Sequence, residues 1–223
     1  MRPDRIALFG YAHVPWMKRH QAIIREADLP DVVERHNLAE TAAAFLIDNG
    51  YIRIGIDHFA RPHDALAVAA REGRLRRNFQ GYTVDEADAL IGLGASSIGR
   101  LPQGYVQNAP AIADYSRRVA SGGLAVTKGL ALSEDDVVRA HVIERLMCDL
   151  AFKRSDVARR FGPVAEAVIA DATLLVHADR DGLVRATDDG FVITERGRPF
   201  ARAIAARFDA YLAGSPARHS LAV

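Results

Sequence analysis

The chain has 223 residues, 49% of them hydrophobic and 26% charged, with 29 basic side chains against 28 acidic ones. This is the make-up of one large or two small folded domains, and it excludes a disordered chain, which combines low hydrophobicity with high net charge. A net charge of +1, no apolar run of membrane-spanning length and a polar start at Met1-Arg2-Pro3-Asp4-Arg5 point away from nucleic acid, membrane and export, so a cytoplasmic location is expected.

The first segment reads as strand, helix, strand. Ile6-Ala7-Leu8-Phe9 suits a buried strand. Asn37 and Glu40 have capping-box spacing, so a helix is expected from Asn37 to Asn49, burying Leu38, Ala42, Phe45 and Leu46 and ending at Gly50. In Tyr51-Ile52-Arg53-Ile54-Gly55-Ile56 the isoleucines recur at every second position, a strand pattern. The two strands should be adjacent and parallel, as in a βαβ unit.

A short helix is expected from Asp64 to Gly73, and a buried strand over Ala89-Leu90-Ile91-Gly92-Leu93-Gly94-Ala95. Pro110 to Ser121 reads as a helix with proline in its first turn. Ser133-Glu134-Asp135-Asp136 opens a longer helix whose Val138, Val142, Leu146 and Leu150 form a buried stripe. The lone cysteine, Cys148, lies in that stretch, where a plain buried thiol is expected; it excludes an internal disulfide and a cysteine-built metal site. Helices near 155–161 and 164–177 follow, then a hairpin of Val184-Arg185-Ala186 and Phe191-Val192-Ile193 around Asp188-Asp189-Gly190, then a helix from Thr194 to about Ala213. Helices, a hairpin and a closing helix suggest a winged-helix-like module.

Ligands gather at the carboxyl ends of parallel strands. The two strand ends here carry His13, in Gly10-Tyr11-Ala12-His13-Val14-Pro15, and His58, in Asp57-His58-Phe59-Ala60-Arg61-Pro62. No third ligand is spaced with them for zinc. Asn78-Phe79-Gln80-Gly81-Tyr82-Thr83 sets aromatic faces, an amide and a glycine in one loop, which fits a pocket lining or, equally, an anchored turn. Beside it, Arg74, Arg76 and Arg77 suit carboxylates or form a solvated helix end. Composition and spacing stop there, at an α/β domain with a small-molecule pocket.

These stretches taken together resemble the oxygen-independent coproporphyrinogen III oxidase family. Tyr11-Ala12-His13-Val14-Pro15, Ala27-Asp28-Leu29-Pro30, Ile56-Asp57-His58-Phe59-Ala60-Arg61-Pro62, Phe79-Gln80-Gly81-Tyr82-Thr83 and Thr194-Glu195-Arg196-Gly197-Arg198 match its pattern in order. The resemblance implies a radical S-adenosylmethionine enzyme of haem synthesis. Such an enzyme turns two propionates of coproporphyrinogen III into vinyls with a [4Fe–4S] cluster, two S-adenosylmethionine molecules and an electron donor. It implies that Ala12 borders the second S-adenosylmethionine and that Phe79, Gln80 and Ile98 border the cluster-bound one. The arginines near the pocket are our own suggestion for substrate carboxylates.

The family's C-x3-C-x2-C motif is absent from the chain. The expectation is therefore a carboxy-terminal portion, from a truncated product, a gene fragment or a separately encoded half. Residues 1–108 would supply the last strands of a partial (β/α)6 radical barrel, and residues 109–223 a mostly helical, winged-helix-like carboxy-terminal domain. The isolated chain would be inactive and would need the missing amino-terminal half. Two alternatives stand beside this reading: a non-catalytic module that holds S-adenosylmethionine or a tetrapyrrole, and a winged-helix DNA binder. The second is disfavoured by only seven arginines against five acids from Arg180 onward.

Overall fold

A computed structural model describes residues 2–212 of the chain. Strand β1 (Arg5–Ala7) leads through a loop with two short 3-10 turns into helix α1 (Val32–Asp48). Strands β2 (Ile52–Ile54) and β3 (His58–Ala60), helix α2 (Ala65–Arg71), and strands β4 (Arg76–Asn78) and β5 (Gly81–Thr83) follow. Then come β6 (Ile98–Leu101), β7 (Gly104–Asn108), α3 (Ile112–Ala120) and β8 (Val126–Ala131). The remainder is α4 (Glu134–Asp149), β9 (Ala151–Lys153), α5 (Arg154–Phe161), α6 (Ala165–Ala178), β10 (Val184–Thr187), β11 (Gly190–Ile193) and α7 (Ala201–Ala206). The class is mixed α/β, with strands in four small sheets.

The expected βαβ unit is replaced by a different pairing. The first sheet has the order β1-β3-β2, and both pairings are antiparallel. β1 and β2 therefore point the same way, but β3 lies between them. The cause is a reversal at Gly55-Ile56-Asp57: Gly55 takes φ +56°, a conformation glycine reaches at no steric cost, and the chain folds back so that β3 satisfies both neighbours.

Helix α1 starts before Asn37. Asp31 is its cap: the Asp31 carboxylate accepts from the Glu34 N–H at 2.8 Å, and the Glu34 carboxylate accepts from the Asp31 N–H at 3.1 Å. Pro30 holds the chain extended just before that box. The expected buried face of α1 is largely exposed: Leu38 and Phe45 are exposed, Ala43 is buried, and Leu46 packs partly against Tyr51 and Phe59. Residues 89–95 do not form a strand. Leu90 alone bridges Arg100, Leu93 is 85% exposed, and the chain turns at Gly94 (φ +98°) and Ser96 (φ +62°).

Helix α2 is capped by Asp64, and α4 by Ser133 in a capping box with Asp136, as their sequences suggest. In α4, Val138, Val142 and Leu146 are buried against Phe152, Phe191 and Phe208 in the largest core. Cys148, two residues on and so on the other side of the helix, sits in a second core with Ile54, Leu66, Leu75 and Tyr82. α4 therefore ties the two cores together. The Asp188-Asp189 hairpin forms, and β9 adds a third strand to it through β11. The run Arg154–Ala178 is long and apolar enough by length and composition to cross a membrane; 17% of its apolar window is buried, and its Val157, Ala165, Val168 and Ala172 belong to the main core.

The closing helix is shorter than expected. Thr194 to Gly197 form a turn pinned by the Gly197 N–H on Thr194 Oγ1 at 3.1 Å, and Pro199 sits in a 3-10 turn, so α7 begins only at Ala201. Ala213 lies outside the described residues. The division expected after residue 108 falls between β7 and β8, two paired strands of one sheet.

Candidate functional site

The site is built around the β2–β3 turn. Asp57 and His58 follow Gly55, and the His58 Nδ1 lies 2.6 Å from Asp57 Oδ1. The other Asp57 oxygen pairs with Arg202 of α7. Burial opposes the Asp57 carboxylate, but the hydrogen bond with His58 and the Arg202 guanidinium outweigh it and hold its pKa below the usual value. The His58 ring packs edge-on against Phe9, at 5.8 Å, and Tyr82, at 5.0 Å. A Cβ on Gly81 would lie 3.7 Å from His58 Nε2, so the Gln80-Gly81 turn rests beside the imidazole. Sequence adjacency of Asp57 and His58 hinted at this pair; nothing local announced Arg202, which arrives from 145 residues away.

Tyr82 locks the turn to α4. Its hydroxyl donates to the Met147 carbonyl at 2.8 Å and accepts from the Ile56 N–H at 3.1 Å. Burial pushes its pKa up to about 12, so it stays a neutral donor.

Two cavities flank this assembly. The first, about 640 Å³, opens between the loop after β1, α1 and the start of α7. Leu8, Leu38 and Phe59 give it apolar walls, and Arg35, Arg53, Arg198 and Arg202 give it charge. Three of those arginines already hold carboxylates of the chain: Arg53 with Glu40, Arg198 with Glu195, Arg202 with Asp57. The second, about 360 Å³, lies between the β4–β5 hairpin, Tyr105 of β7 and the helices α4 and α5.

Ala12 lines the first cavity, and its carbonyl accepts from Gln21 Nε2 at 3.1 Å. Phe79 lines the second, its ring edge-on to Tyr105 at 5.4 Å. Gln80 and Ile98 line neither: the Gln80 N–H donates to Asn78 Oδ1 at 2.8 Å, and Ile98 opens β6 opposite Gln107. His13 lies tilted against Tyr11. Of the basic cluster, Arg74 pairs with Glu72 and Arg76 with Glu144, while Arg77 lies over the Tyr82 ring.

A [4Fe–4S] cluster does not fit the residues of this chain. The single thiol, Cys148, is buried, and burial pushes its pKa up to about 12, far from the thiolate that iron requires. Among the described residues no group of three or more His, Cys, Asp or Glu is placed to hold a metal ion.

Comparison with known proteins gives the geometry a setting. Residues 132–200 match the HemN C-terminal domain family. The whole chain is 46% identical to half of the oxygen-independent coproporphyrinogen III oxidase of Bradyrhizobium diazoefficiens. Over 95% of its length it is 49% identical to the enzyme of that name from Paracoccus denitrificans, 47% of which is covered. The solved coproporphyrinogen III oxidase (HemN) of Escherichia coli, described as a radical SAM enzyme, superposes with a TM-score of 0.87 at 40% identity, covering 95% of this chain and 49% of that one. The chain thus spans about half the length of the relatives it matches.

Proposed function

We propose that this chain is the carboxy-terminal half of an oxygen-independent coproporphyrinogen III oxidase, working with an amino-terminal half that carries the iron–sulfur cluster. The observation that carries this reading is the fold match to the Escherichia coli enzyme over 95% of the chain, at a TM-score of 0.87. The assembled enzyme would convert two propionates of coproporphyrinogen III to vinyl groups, giving protoporphyrinogen IX, in the cytoplasm, with electrons from a separate donor. The first three strands would close a partial barrel begun by the other half, and β9–β11 with their helices would form a winged-helix-like unit.

S-adenosylmethionine, when bound, supplies the radical chemistry of this enzyme class. The chain's own residues would position it. Ala12 gives a small wall to the first cavity, fitting a second S-adenosylmethionine at close backbone approach. Phe79 and Ile98 offer apolar contact to the cluster-bound one. Gln80 has a side-chain amide with no hydrogen-bond partner among the described residues, in a turn fixed by Asn78. That amide is free to donate and accept. Because the cluster does not fit these residues, the isolated chain is also open to a second reading, as a module that binds S-adenosylmethionine or a tetrapyrrole without turnover.

Gln80→Ala, tested in the assembly of both halves, should weaken S-adenosylmethionine binding by about ten- to a hundredfold, the equivalent of about 1–3 kcal/mol for a hydrogen bond to the bound ligand that is no longer made. Its melting temperature should stay unchanged. Unaltered affinity and turnover would remove Gln80 from the site.

A further inference from the structure

The second cavity carries charge that the chain does not use. Its lining includes four arginines, Arg76, Arg77, Arg100 and Arg160, against Asp85, Asp88 and Glu144. Glu144 is already committed: its Oε1 accepts from Arg76 Nε at 3.1 Å and from the Arg77 N–H at 3.0 Å. Among the described residues, Arg77, Arg100 and Arg160 form no ion pair with any carboxylate. Arg77 Nε is buried with no hydrogen-bond partner, an omission that folded proteins ordinarily correct. Arg160 lies over the Phe161 ring, 5.3 Å from its centroid, instead of pairing with an acid.

The remaining surface is aromatic. Phe79 and Tyr105 meet edge to face, and Phe161 of α5 lines the same cavity. His141, beside Phe161, is pushed down to about 4 by burial and by the nearby Arg160, so it is a neutral wall at physiological pH. Flat rings beside unpaired guanidinium forks recognise a flat ligand that bears carboxylates. A volume of about 360 Å³ suits one edge of such a ligand rather than a whole macrocycle.

We propose that the second cavity is a carboxylate-recognition subsite, in which Arg77, Arg100 and Arg160 hold a propionate-bearing edge of a tetrapyrrole against Phe79, Tyr105 and Phe161. This inference rests on the proposed oxidase function for the identity of the ligand; the chemistry it names is an aromatic polycarboxylate. It assigns a binding role to arginines from three separate elements, none of which holds substrate by the resemblance.

The test is made on the 223-residue chain with coproporphyrin III, the stable fluorescent tetracarboxylate, as probe. Titration followed by porphyrin fluorescence should give saturable binding. Arg100→Gln with Arg160→Gln should weaken it by roughly tenfold or more, since two of the three charged partners of the carboxylates are lost. Arg185→Gln, the loss of one charge on an exposed part of β10 and so the match for Arg160→Gln alone, should leave it unchanged. Coproporphyrin III tetramethyl ester should bind at least tenfold more weakly than the acid. Should the double variant melt early, Arg160→Gln alone, at an exposed position, carries the test and should still weaken binding severalfold. No binding to the wild-type chain, equal affinity for acid and ester, or wild-type affinity in a well-folded variant of Arg100 and Arg160 would each overturn the proposal. Because binding is read without the amino-terminal half, an assembly that fails to turn over leaves this result intact, and a negative titration leaves the turnover assay intact.

Discussion

Leu146→Ala lowers the unfolding free energy of the chain by about 3–5 kcal/mol, the range for a truncation that leaves a cavity among fixed neighbours. Leu146 is fully buried, in one core with Val142, Phe152, Phe191 and Phe208. The three phenylalanines hold one another, Phe152 stacked on Phe191 at 5.6 Å and Phe208 edge-on to both, so the site resists collapse into the space left behind. Domains of ordinary stability have only about 5–15 kcal/mol in total. The denaturation midpoint should therefore fall steeply, with the slope unchanged. Leu93→Ala, at a site 85% exposed, should stay within about 0.5 kcal/mol of wild type. Equal effects at the two positions would mean that the core has been placed wrongly.

Gly55→Ala carries a comparable penalty for a different reason, about 3 kcal/mol or more. At φ +56° an alanine is strained by about 1 kcal/mol. Its Cβ would also lie 2.1 Å from the Tyr82 hydroxyl, the group that joins Ile56 to Met147. Overpacking of that kind costs about 1–3 kcal/mol, and the displaced phenol forfeits hydrogen bonds worth about 1 kcal/mol each. Gly73→Ala separates the two causes. Gly73 has φ +67° with nothing within 4 Å of a new Cβ, so it should show the strain alone. Thermal unfolding of the pair checks this: equal shifts would mean that the Tyr82 contact with the turn contributes nothing.

Much of the second half of the chain was legible from local signals because those signals and the tertiary structure agree. Ser133 with Asp136, the four-residue spacing of Val138, Val142 and Leu146, and the Asp188-Asp189 turn each specify their element within a few residues. The first half was read less well, because several weak local signals compete there. Asn37 and Asp31 both offer a cap with a glutamate three residues on, and Pro30 favours Asp31. The isoleucines of residues 51–56 read as one strand, while Gly55 breaks it into a hairpin, a choice that Tyr82 reinforces from 26 residues away. Leu38, Phe45, Ile91 and Leu93 are apolar yet exposed, so periodicity assigned them to a core they do not join. At the site, the His58 and Gln80 stretches stood out by composition. The Arg202 partner of Asp57 and the unpaired Arg100 and Arg160 come from distant elements, and no local pattern marks them.

The central claim is that this chain completes an oxidase whose cluster resides in another polypeptide segment. Its most direct test joins the chain, anaerobically, with the amino-terminal half of the Bradyrhizobium diazoefficiens relative, reconstituted with iron and sulfide. Coproporphyrinogen III, S-adenosylmethionine and a reductant are then supplied, and protoporphyrin is measured after oxidation of the product. The account predicts protoporphyrin only when both halves are present, with iron and sulfide bound by the amino-terminal half and none by this chain. A folded, cluster-loaded pair that forms a stable complex yet makes no protoporphyrin, or stoichiometric cluster on this chain alone, would contradict it.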